Sequence, residues 1–458
     1  MATSSPVPSS AAASTQDDTA LAPVLTPGGW RLLNAVGASL GAAGYRESEA
    51  LALSTRLRAE GHAPELVSAV LTQLKFRTQA AAKLGPFAAN MLFTRAGLEQ
   101  ATRMNVAALH AGRFASAGVR SVADLGCGIG ADAMALAALD LQVTAVERDE
   151  TVAAAATINL MPFPNATVVG ADAVQWLAAM DGAPGAAGDA AGSASGAAGE
   201  ARPEGFWLDP ARRMVSSSGS ARVFDPEAFS PPLSFVERLA ETGAPVGVKL
   251  GPALPHASVP AGCEAQWVSV AGSLTEAVLW FNALARPRVR RSALVLGGGE
   301  AGPAELSSAA DFGDSPTVDV AGVQGLTGYL YEPDPAVIRA GLVADLIDRE
   351  FSGSGGRLLD EHIAYFCADS ARDSRFATGY RVLDVMPYKV KGLRRWVKET
   401  GVTRLDIKKR GVDVTPEELR RLLMSGQGKS GKGSGRHTTL VLTRIGEDRV
   451  AVEVEPLP

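Results

Sequence analysis

The sequence predicts an α/β protein, in which a mostly parallel sheet lies between an N-terminal helical region and a C-terminal α+β domain. Three observations predict this fold class. Leucine and alanine recur at helical spacing over residues 26–114, where proline is scarce. From residue 119, short apolar runs rich in valine alternate with helix-length segments, as in parallel strands joined by helices. The last part, residues 321–458, mixes capped helical segments with alternating strands, which is typical of an α+β domain.

The length and composition limit the possible classes of protein. A chain of 458 residues is long enough for two or three domains. With 46% hydrophobic and 20% charged residues it can bury a core, which excludes a wholly disordered protein. The sequence contains no uninterrupted apolar run of about 18 residues, so it predicts no membrane span. Its widely spaced cysteines predict neither a disulfide framework nor a zinc site, so we expect a cytoplasmic protein without a metal.

Several segments of the chain contain few residues that could pack into a core. They predict a disordered tail at residues 1–25 and a linker at residues 299–320. They also predict two flexible loops, at residues 181–203 and 425–436. The sequence between them predicts a helical region, an α/β domain and an α+β domain, at residues 26–114, 115–298 and 321–458.

A glycine-rich turn follows the first predicted strand of the α/β domain. This strand ends in Asp124, the turn contains Gly126, Gly128 and Gly130, and a helix begins near Asp132. A turn without side chains lets a ligand approach the backbone, and the start of the helix offers free N–H groups. The pattern also matches a dinucleotide-binding fingerprint, so a nicotinamide-dependent oxidoreductase is one function to consider.

Acidic residues end the strands that follow. Glu147 ends the second strand, where it is placed to accept hydrogen bonds from two ribose hydroxyls. Asp172 follows the third strand and could accept a hydrogen bond from an adenine amino group. Asp209 and Pro210 follow the fourth strand. Because the carboxyl ends of parallel strands meet at one edge of a sheet, we expect these acids to line one crevice.

The ordered set of a D-x-G-x-G-x-G turn and strand-end acids, over residues 119–284, resembles class I S-adenosylmethionine-dependent methyltransferases. The resemblance implies a Rossmann-like core with a mostly parallel seven-stranded sheet, and S-adenosyl-L-methionine as the cofactor. In that family the turn holds the methionine part, the acid after the second strand the ribose, and the acid after the third strand the adenine. The cofactor-binding residues implied here are Asp124, Gly126, Cys127, Gly128, Gly130, Glu147, Asp172 and Ala173.

The segment Asp209-Pro210-Ala211-Arg212-Arg213 stands where amino-methylating nucleic-acid enzymes carry D/N-P-P-Y/F/W. Asp209 and Pro210 are therefore the candidate catalytic residues, and we expect Asp209 to accept a hydrogen bond from the nucleophile. The segment looks nearer to the D-P-P-R of some uracil-C5 methyltransferases, but the cysteine that those enzymes need after the following strand is absent. Arg212 and Arg213 either hold a substrate phosphate or pair with nearby carboxylates.

Lys249 and three smaller features complete the candidate site. Lys249 lies at the end of the fifth predicted strand and faces the crevice, where it would orient the substrate or form an ion pair. Asp132 and Asp149 are interpreted as helix caps or turn formers. Cys127 is interpreted as a small packing residue, since nothing nearby suggests an activated thiolate.

The segments on either side of the core favour one family of methyltransferases. FTRAGLEQATRMNVAALHAGR before the core, DPARR within it and GYLYEPDPAVIRAGLVADL after it resemble bacterial methyltransferases with a C-terminal THUMP-like domain. True THUMP domains are RNA-binding modules of RNA-modifying enzymes. The resemblance therefore implies RNA as a partner.

A basic cluster near the C-terminus is compatible with RNA. Residues 381–436 contain 15 Lys and Arg against 6 Asp and Glu, in a chain whose net charge is −5. The substrate-binding candidates in this cluster are Lys389, Lys391, Arg394 and Arg395. Such cations bind backbone phosphates, while Tyr388 or Trp396 could stack on a base. The alternative is a solvated helix face with Trp396 in the core.

These patterns together predict an S-adenosylmethionine-dependent methyltransferase that acts on RNA, either tRNA or rRNA, with neither a metal nor a membrane as a partner. Three alternatives stay open from the sequence. A methyltransferase acting on a small molecule or a protein would keep the crevice without needing the basic cluster. A non-catalytic RNA-binding protein would have a degenerate pocket, and a nicotinamide-dependent oxidoreductase would bind NAD.

Overall fold

The computed structural model describes residues 21–41, 44–182, 202–212, 225–297, 302–425 and 435–458, which belong to two compact units. The first unit contains the chain up to Lys249 together with residues 281–284, and the second contains residues 250–280 and 285–458. The predicted flexible loops, residues 181–203 and 425–436, lie largely outside the described residues.

Helices form the N-terminal region, as predicted. They are α1 (Ala22–Leu25), α2 (Pro27–Leu40), α3 (Ala50–Ala59), α4 (Pro64–Leu84), α5 (Arg95–Gln100) and α6 (Met104–Ser116). Apolar residues of α1 to α4 share one core, in which Leu33 and Val70 are fully buried. The predicted disordered tail is wrong for residues 22–25, because Val24 of α1 packs into this core.

A parallel sheet forms the centre of the first unit. The strands of this unit are β1 (Ser121–Leu125), β2 (Gln142–Glu147), β3 (Ala166–Gly170), β4 (Gly205–Leu208), β5 (Ala211–Arg212), β6 (Phe229–Ser230) and β7 (Val246–Leu250). β5 and β6 form a separate antiparallel ladder. The other strands pair in parallel in the order β7-β4-β1-β2-β3. This order reverses between β1 and β4, which is where open α/β sheets bind ligands.

Helices follow the strands of the parallel sheet. They are α7 (Ala131–Ala137), α8 (Glu150–Leu160), α9 (Ala173–Met180) and α10 (Leu233–Glu241). The short apolar runs of the sequence form β1 and β4, whose central residues are buried on both faces of the sheet. The predicted α/β core is confirmed, but the seven-stranded sheet that the resemblance implies is not observed in the described part of the first unit, where five strands pair in parallel.

Four strands follow β7 along the chain. They are β8 (Glu264–Val270), β9 (Ser273–Phe281), β10 (Arg291–Leu296) and β11 (Ala304–Ser308). β8 pairs antiparallel with β9 and parallel with β10, and β11 pairs antiparallel with β10. The predicted linker is therefore wrong at residues 304–308, because Leu306 is buried and this short segment extends a sheet.

The C-terminal part of the second unit is a mixed sheet with helices, as predicted. Its strands are β12 (Tyr329–Pro333), β13 (Arg357–Asp360), β14 (Ile363–Ala368), β15 (Ala377–Pro387), β16 (Val402–Arg410), β17 (Arg436–Ile445) and β18 (Asp448–Pro456). They pair in the order β13-β14-β12-β15-β18-β17-β16. The helices are α11 (Pro335–Arg339), α12 (Val343–Leu346), α13 (Val390–Glu399) and α14 (Pro416–Met424). β17 and β18 form an antiparallel hairpin at the C-terminal end of the described residues.

Two helices of this domain begin in different ways. Asp334 caps α11, because its Oδ1 accepts a hydrogen bond from the N–H of Ala336 at 2.8 Å. Thr415 occupies the N-cap position of α14, but its side chain makes no capping hydrogen bond. The helical pattern after α11 is interrupted at Gly341, whose φ of 68° lies in the left-handed region.

Candidate active site

The glycine turn joins β1 to α7. Gly126, Gly128 and Gly130 have φ values of 91°, 54° and 86°, a backbone conformation that favours glycine. A β-carbon on Gly126 would lie 3.4 Å from the carbonyl oxygen of Asp209, so the ends of β1 and β4 approach closely. The turn is thus shaped by glycines at the point where the strand order reverses.

Glu147 is fixed beside this turn by the backbone. Its Oε2 accepts a hydrogen bond from the N–H of Gly128 at 3.0 Å, and its Oε1 accepts one from the N–H of Asp149 at 2.9 Å. These bonds hold the carboxylate at the end of β2 and leave further acceptor capacity on both oxygens. The structure therefore brings together the glycine turn and the acid predicted to bind the ribose.

Asp172 caps helix α9. Its Oδ1 accepts hydrogen bonds from the N–H groups of Val174 at 3.0 Å and Gln175 at 3.2 Å. No described residue hydrogen-bonds to its Oδ2, so that oxygen is available to a ligand. Asp149 caps α8 in the same manner, as predicted. Capping and adenine recognition are thus compatible at Asp172, because they use different oxygens.

These residues line an open cleft with about 830 Å³ of empty space. The predicted site residues on its walls are Gly126, Cys127, Gly128, Glu147, Asp172, Ala173 and Asp209. Gly130, Pro210 and Lys249 are not among the residues that line it. Burial raises the pKa of the Cys127 thiol well above its usual range, and the acids Asp124 and Glu147 add to this effect, so this thiol is not activated.

Asp124 lies behind the turn and not on the cleft wall. It is 1% exposed, and no described residue hydrogen-bonds to either of its carboxylate oxygens. Burial raises its pKa well above the usual range, and the neighbouring carboxylates of Asp132 and Asp209 raise it further. Asp124 is therefore not among the residues that line the cleft, and its cofactor-binding role stays a prediction.

Asp209 and Lys249 form an ion pair at the end of neighbouring strands. Their atoms Oδ2 and Nζ lie 2.5 Å apart, and the Lys249 side chain is 11% exposed against 35% for Asp209. Leu208 of β4 is in register with Val248 of β7, which places the two following residues side by side. The ion-pairing role that the sequence allowed for Lys249 is observed.

A buried chain of hydrogen bonds extends from Lys249. Its Nζ donates to Thr102 Oγ1 at 2.9 Å, and that hydroxyl donates to Asp132 Oδ2 at 2.6 Å. Asp132 Oδ1 lies 3.2 Å from His110 Nδ1, and the ring of His110 lies 4.6 Å from the ring of Trp207. The interpretation of Asp132 as a helix cap is wrong, because Gly130 holds the N-cap position of α7 and Asp132 is buried.

The pKa of Asp132 reflects this chain. Burial acts to raise it, but the hydrogen bond from His110, the charge of Lys249 and the hydrogen bond from Thr102 outweigh burial and lower it. Sequence reasoning missed Thr102 and His110. Both lie in the segment FTRAGLEQATRMNVAALHAGR, which precedes the core. The residues around them form no pattern that indicates a site.

The predicted substrate-binding residues lie elsewhere or are only partly described. Arg212 belongs to β5, which pairs with β6, and Arg213 lies outside the described residues. Lys389, Lys391, Arg394 and Arg395 belong to α13 and its N-cap in the second unit, and all four are exposed.

A parallel sheet with this strand order, a glycine-rich first turn and acids after β2 and β3 define the class I methyltransferase fold. A family model described as THUMP domain-like matches residues 377–456, and one described as a domain of unknown function matches residues 17–80. An uncharacterized S-adenosylmethionine-dependent methyltransferase of Mycobacterium tuberculosis, found in strains CDC 1551 / Oshkosh and ATCC 25618 / H37Rv, is 30% identical over 401 residues. The match covers 85% of this chain and 95% of the relative.

A solved structure agrees with this likeness at the level of the fold. A candidate methyltransferase from Porphyromonas gingivalis W83 superposes with a TM-score of 0.65 at 19% identity, covering 90% of this chain and all of the other. The chain belongs to the S-adenosylmethionine-dependent methyltransferases. Within them it carries a C-terminal THUMP-like segment, so the predicted family, enzyme class and cofactor are confirmed.

The cleft fits S-adenosylmethionine. A β-carbon on Gly128 would meet open space, which leaves room for a ligand against the backbone of the turn. Glu147 can accept hydrogen bonds from ribose hydroxyls, and Oδ2 of Asp172 can accept one from an adenine amino group. Across the described residues, no helix is long and apolar enough to cross a membrane.

Proposed function

We propose that this methyltransferase modifies RNA, either tRNA or rRNA, and that its C-terminal domain contributes RNA binding. The main observation in support of this proposal is an exposed basic helix face within the THUMP-like segment. A cytoplasmic site of action is part of the proposal, and the three free cysteines support it, since thiols persist in a reducing compartment.

Helix α13 separates its apolar and basic residues. Leu393 and Val397 are buried in the core of the domain, while the cations point to solvent. The exposed cations are Lys389, Lys391, Arg394, Arg395 and Lys398. None of them forms an ion pair with a carboxylate among the described residues, so their charge is available to phosphates.

The aromatic residues of this cluster support the domain core. Trp396 and Tyr388 are partly buried and pack against the cluster that contains Leu393. The alternative interpretation of Trp396 as a packing residue is therefore the observed one. We propose that this face binds the RNA backbone and leaves the choice of nucleotide to the active site.

The residues of the cleft divide between holding the cofactor and orienting the nucleophile. We propose that Gly126, Gly128, Glu147 and Asp172 hold the methyl donor. When bound, S-adenosylmethionine supplies an electrophilic methyl group. Asp209 accepts a hydrogen bond from the attacking N–H or O–H group and orients its lone pair, and Lys249 holds the Asp209 carboxylate in place.

Methyl transfer to RNA tests this proposal. The full-length enzyme is incubated with labelled S-adenosylmethionine and total RNA from a strain that lacks the gene. The proposal expects ribonuclease-sensitive label in RNA. Label confined to small molecules or protein, or no label in any fraction, would overturn it.

A charge variant tests the role of the basic face. Alanine replaces Lys389, Lys391, Arg394 and Arg395 together. Each phosphate contact contributes about 0.7 to the slope of log affinity against log salt for a single strand, so this slope should fall by about 3. The control replaces an equal number of exposed N-terminal cations, which are Arg31, Arg56, Arg58 and Lys75. If the slope of log affinity against log salt is equal for the two variants, the C-terminal domain does not bind RNA through this face.

A further inference from the structure

A second cavity lies in the N-terminal helical region, between α2, α4 and the segment that follows α4. It has about 1140 Å³ of empty space, and none of its lining residues lines the methyl-donor cleft. The polar residues on its walls include Asn34, Arg77, Thr78 and Asn90. The family model that matches most of this region carries no function, so the cavity has no assigned role.

Arg77 is a buried cation without a buried anion. It is 7% exposed, and its Nε donates a hydrogen bond to the carbonyl oxygen of Met91 at 2.9 Å. Its Nη2 is buried and has no hydrogen-bond partner among the described residues. The guanidinium carbon lies 5.4 Å from the centre of the Trp30 ring. No described carboxylate forms an ion pair with Arg77.

Arg77 is one of the residues that line the cavity, and its Nη1 lies beside Gly37. A β-carbon on Gly37, a lining residue, would lie 3.6 Å from Nη1 of Arg77. Asn34 lines the same cavity, and its buried Oδ1 has no partner among the described residues. Burial lowers the pKa of Arg77 to about 10, which leaves the side chain charged near neutral pH.

A buried charge that lacks a counter-ion is costly, and a guanidinium with free N–H groups fits the two oxygens of a phosphate or carboxylate. The rest of the wall is largely apolar, with Leu40, Leu74 and Pro86 among its residues. We propose that this cavity binds a small molecule that carries an oxyanion on an apolar body, with Arg77 as the counter-ion.

Calorimetry on the full-length enzyme tests the proposal with three probes that share one ring. Phenyl phosphate and benzoate carry the two oxyanions, and benzyl alcohol carries no charge. Saturating S-adenosylhomocysteine fills the methyl-donor cleft, so that binding there is excluded. The proposal expects at least one oxyanion to bind and benzyl alcohol to bind at least tenfold more weakly, about the effect of losing a charged hydrogen bond. Phosphate and carboxylate ligands are distinguished by which oxyanion binds more tightly.

Two variants locate the site. Arg77→Met should weaken the oxyanion at least about tenfold, while Lys75→Met, which removes an exposed cation from the same helix, should leave its affinity unchanged. Gly37→Leu keeps Arg77 and fills the cavity, since a β-carbon there has only ordinary contacts. It should also abolish binding, and it keeps the test decisive if Arg77→Met does not fold. Failure of both oxyanions to bind the wild type, or unchanged affinity in Gly37→Leu, would overturn the proposal.

Discussion

Replacing Lys249 by methionine should slow methyl transfer while leaving the affinity for the methyl donor intact. Methionine has a similar length but cannot donate a hydrogen bond. It removes the ion pair with Asp209 at 2.5 Å and the hydrogen bond to Thr102 at 2.9 Å. Lys249 does not line the cleft, so the residues that hold the donor keep their contacts.

The size of the effect follows from the exposure of the pair. A hydrogen bond between charged groups contributes about 1.5–3 kcal/mol. Asp209 is 35% exposed, so water replaces part of the lost interaction and the lower value applies. If this loss of interaction energy destabilises only the transition state, kcat should fall by about tenfold. Lys249→Arg keeps the positive charge and should lose less.

Single-turnover transfer of labelled methyl groups measures the chemical step, and calorimetry measures the affinity for S-adenosylhomocysteine. The melting temperature of each variant shows whether it is folded. Two results would refute the reasoning about Lys249. One is a folded Lys249→Met variant whose rate lies within about twofold of the wild type, and the other is a donor affinity that falls in parallel with the rate.

Three other substitutions test the cofactor-binding and buried acids. Glu147→Ala should weaken donor binding about tenfold or more by calorimetry, because the ribose hydroxyls lose their acceptor. Glu150→Ala in the adjacent helix is the control. Equal donor affinities of the two variants would contradict the role of Glu147. Asp172→Asn should weaken the donor but preserve the helix cap, whereas Asp172→Ala should also lower stability by about 1 kcal/mol in urea unfolding; equal donor affinity in wild type and Asp172→Asn would argue against adenine recognition. Because burial raises the pKa of Asp124 in the folded state, its protonated form supports folding at low pH and that support is lost as pH rises towards the raised value. Asp124→Asn should therefore gain melting temperature relative to wild type as the pH rises above 3.8, the ordinary pKa of an aspartate, and a constant difference would contradict the burial argument.

Local sequence patterns were sufficient to predict the glycine turn and the strand-end acids of the cleft. The glycines of the turn and the acids after β2 and β3 lie within a few residues of strand ends, and parallel pairing brings strand ends together. The sequence also predicts that Lys249 faces this crevice, but it does not identify Asp209 as the partner of Lys249. These contacts depend only on the strand order and on the period of the sheet.

Contacts between distant elements could not be read from the sequence. Thr102 and His110 reach Asp132 only because α6 packs beside α7, and neither residue lies in a pattern that shows its partner. Arg77 looks like an exposed cation on a helix until the packing of α2 and α4 buries it. The sequence predicts a linker at Ala304–Ser308, because glycines and serines surround this strand.

The position of β3 has a consequence for how the donor enters and leaves. In the order β7-β4-β1-β2-β3, β3 pairs only with β2 among the described strands, whereas β4 is held between β1 and β7. Backbone amides near β3 should therefore exchange with solvent by local opening more readily than those near β4. If Asp172 binds the adenine as proposed, that end of the cleft should open during product exchange more readily than the end beside Asp209.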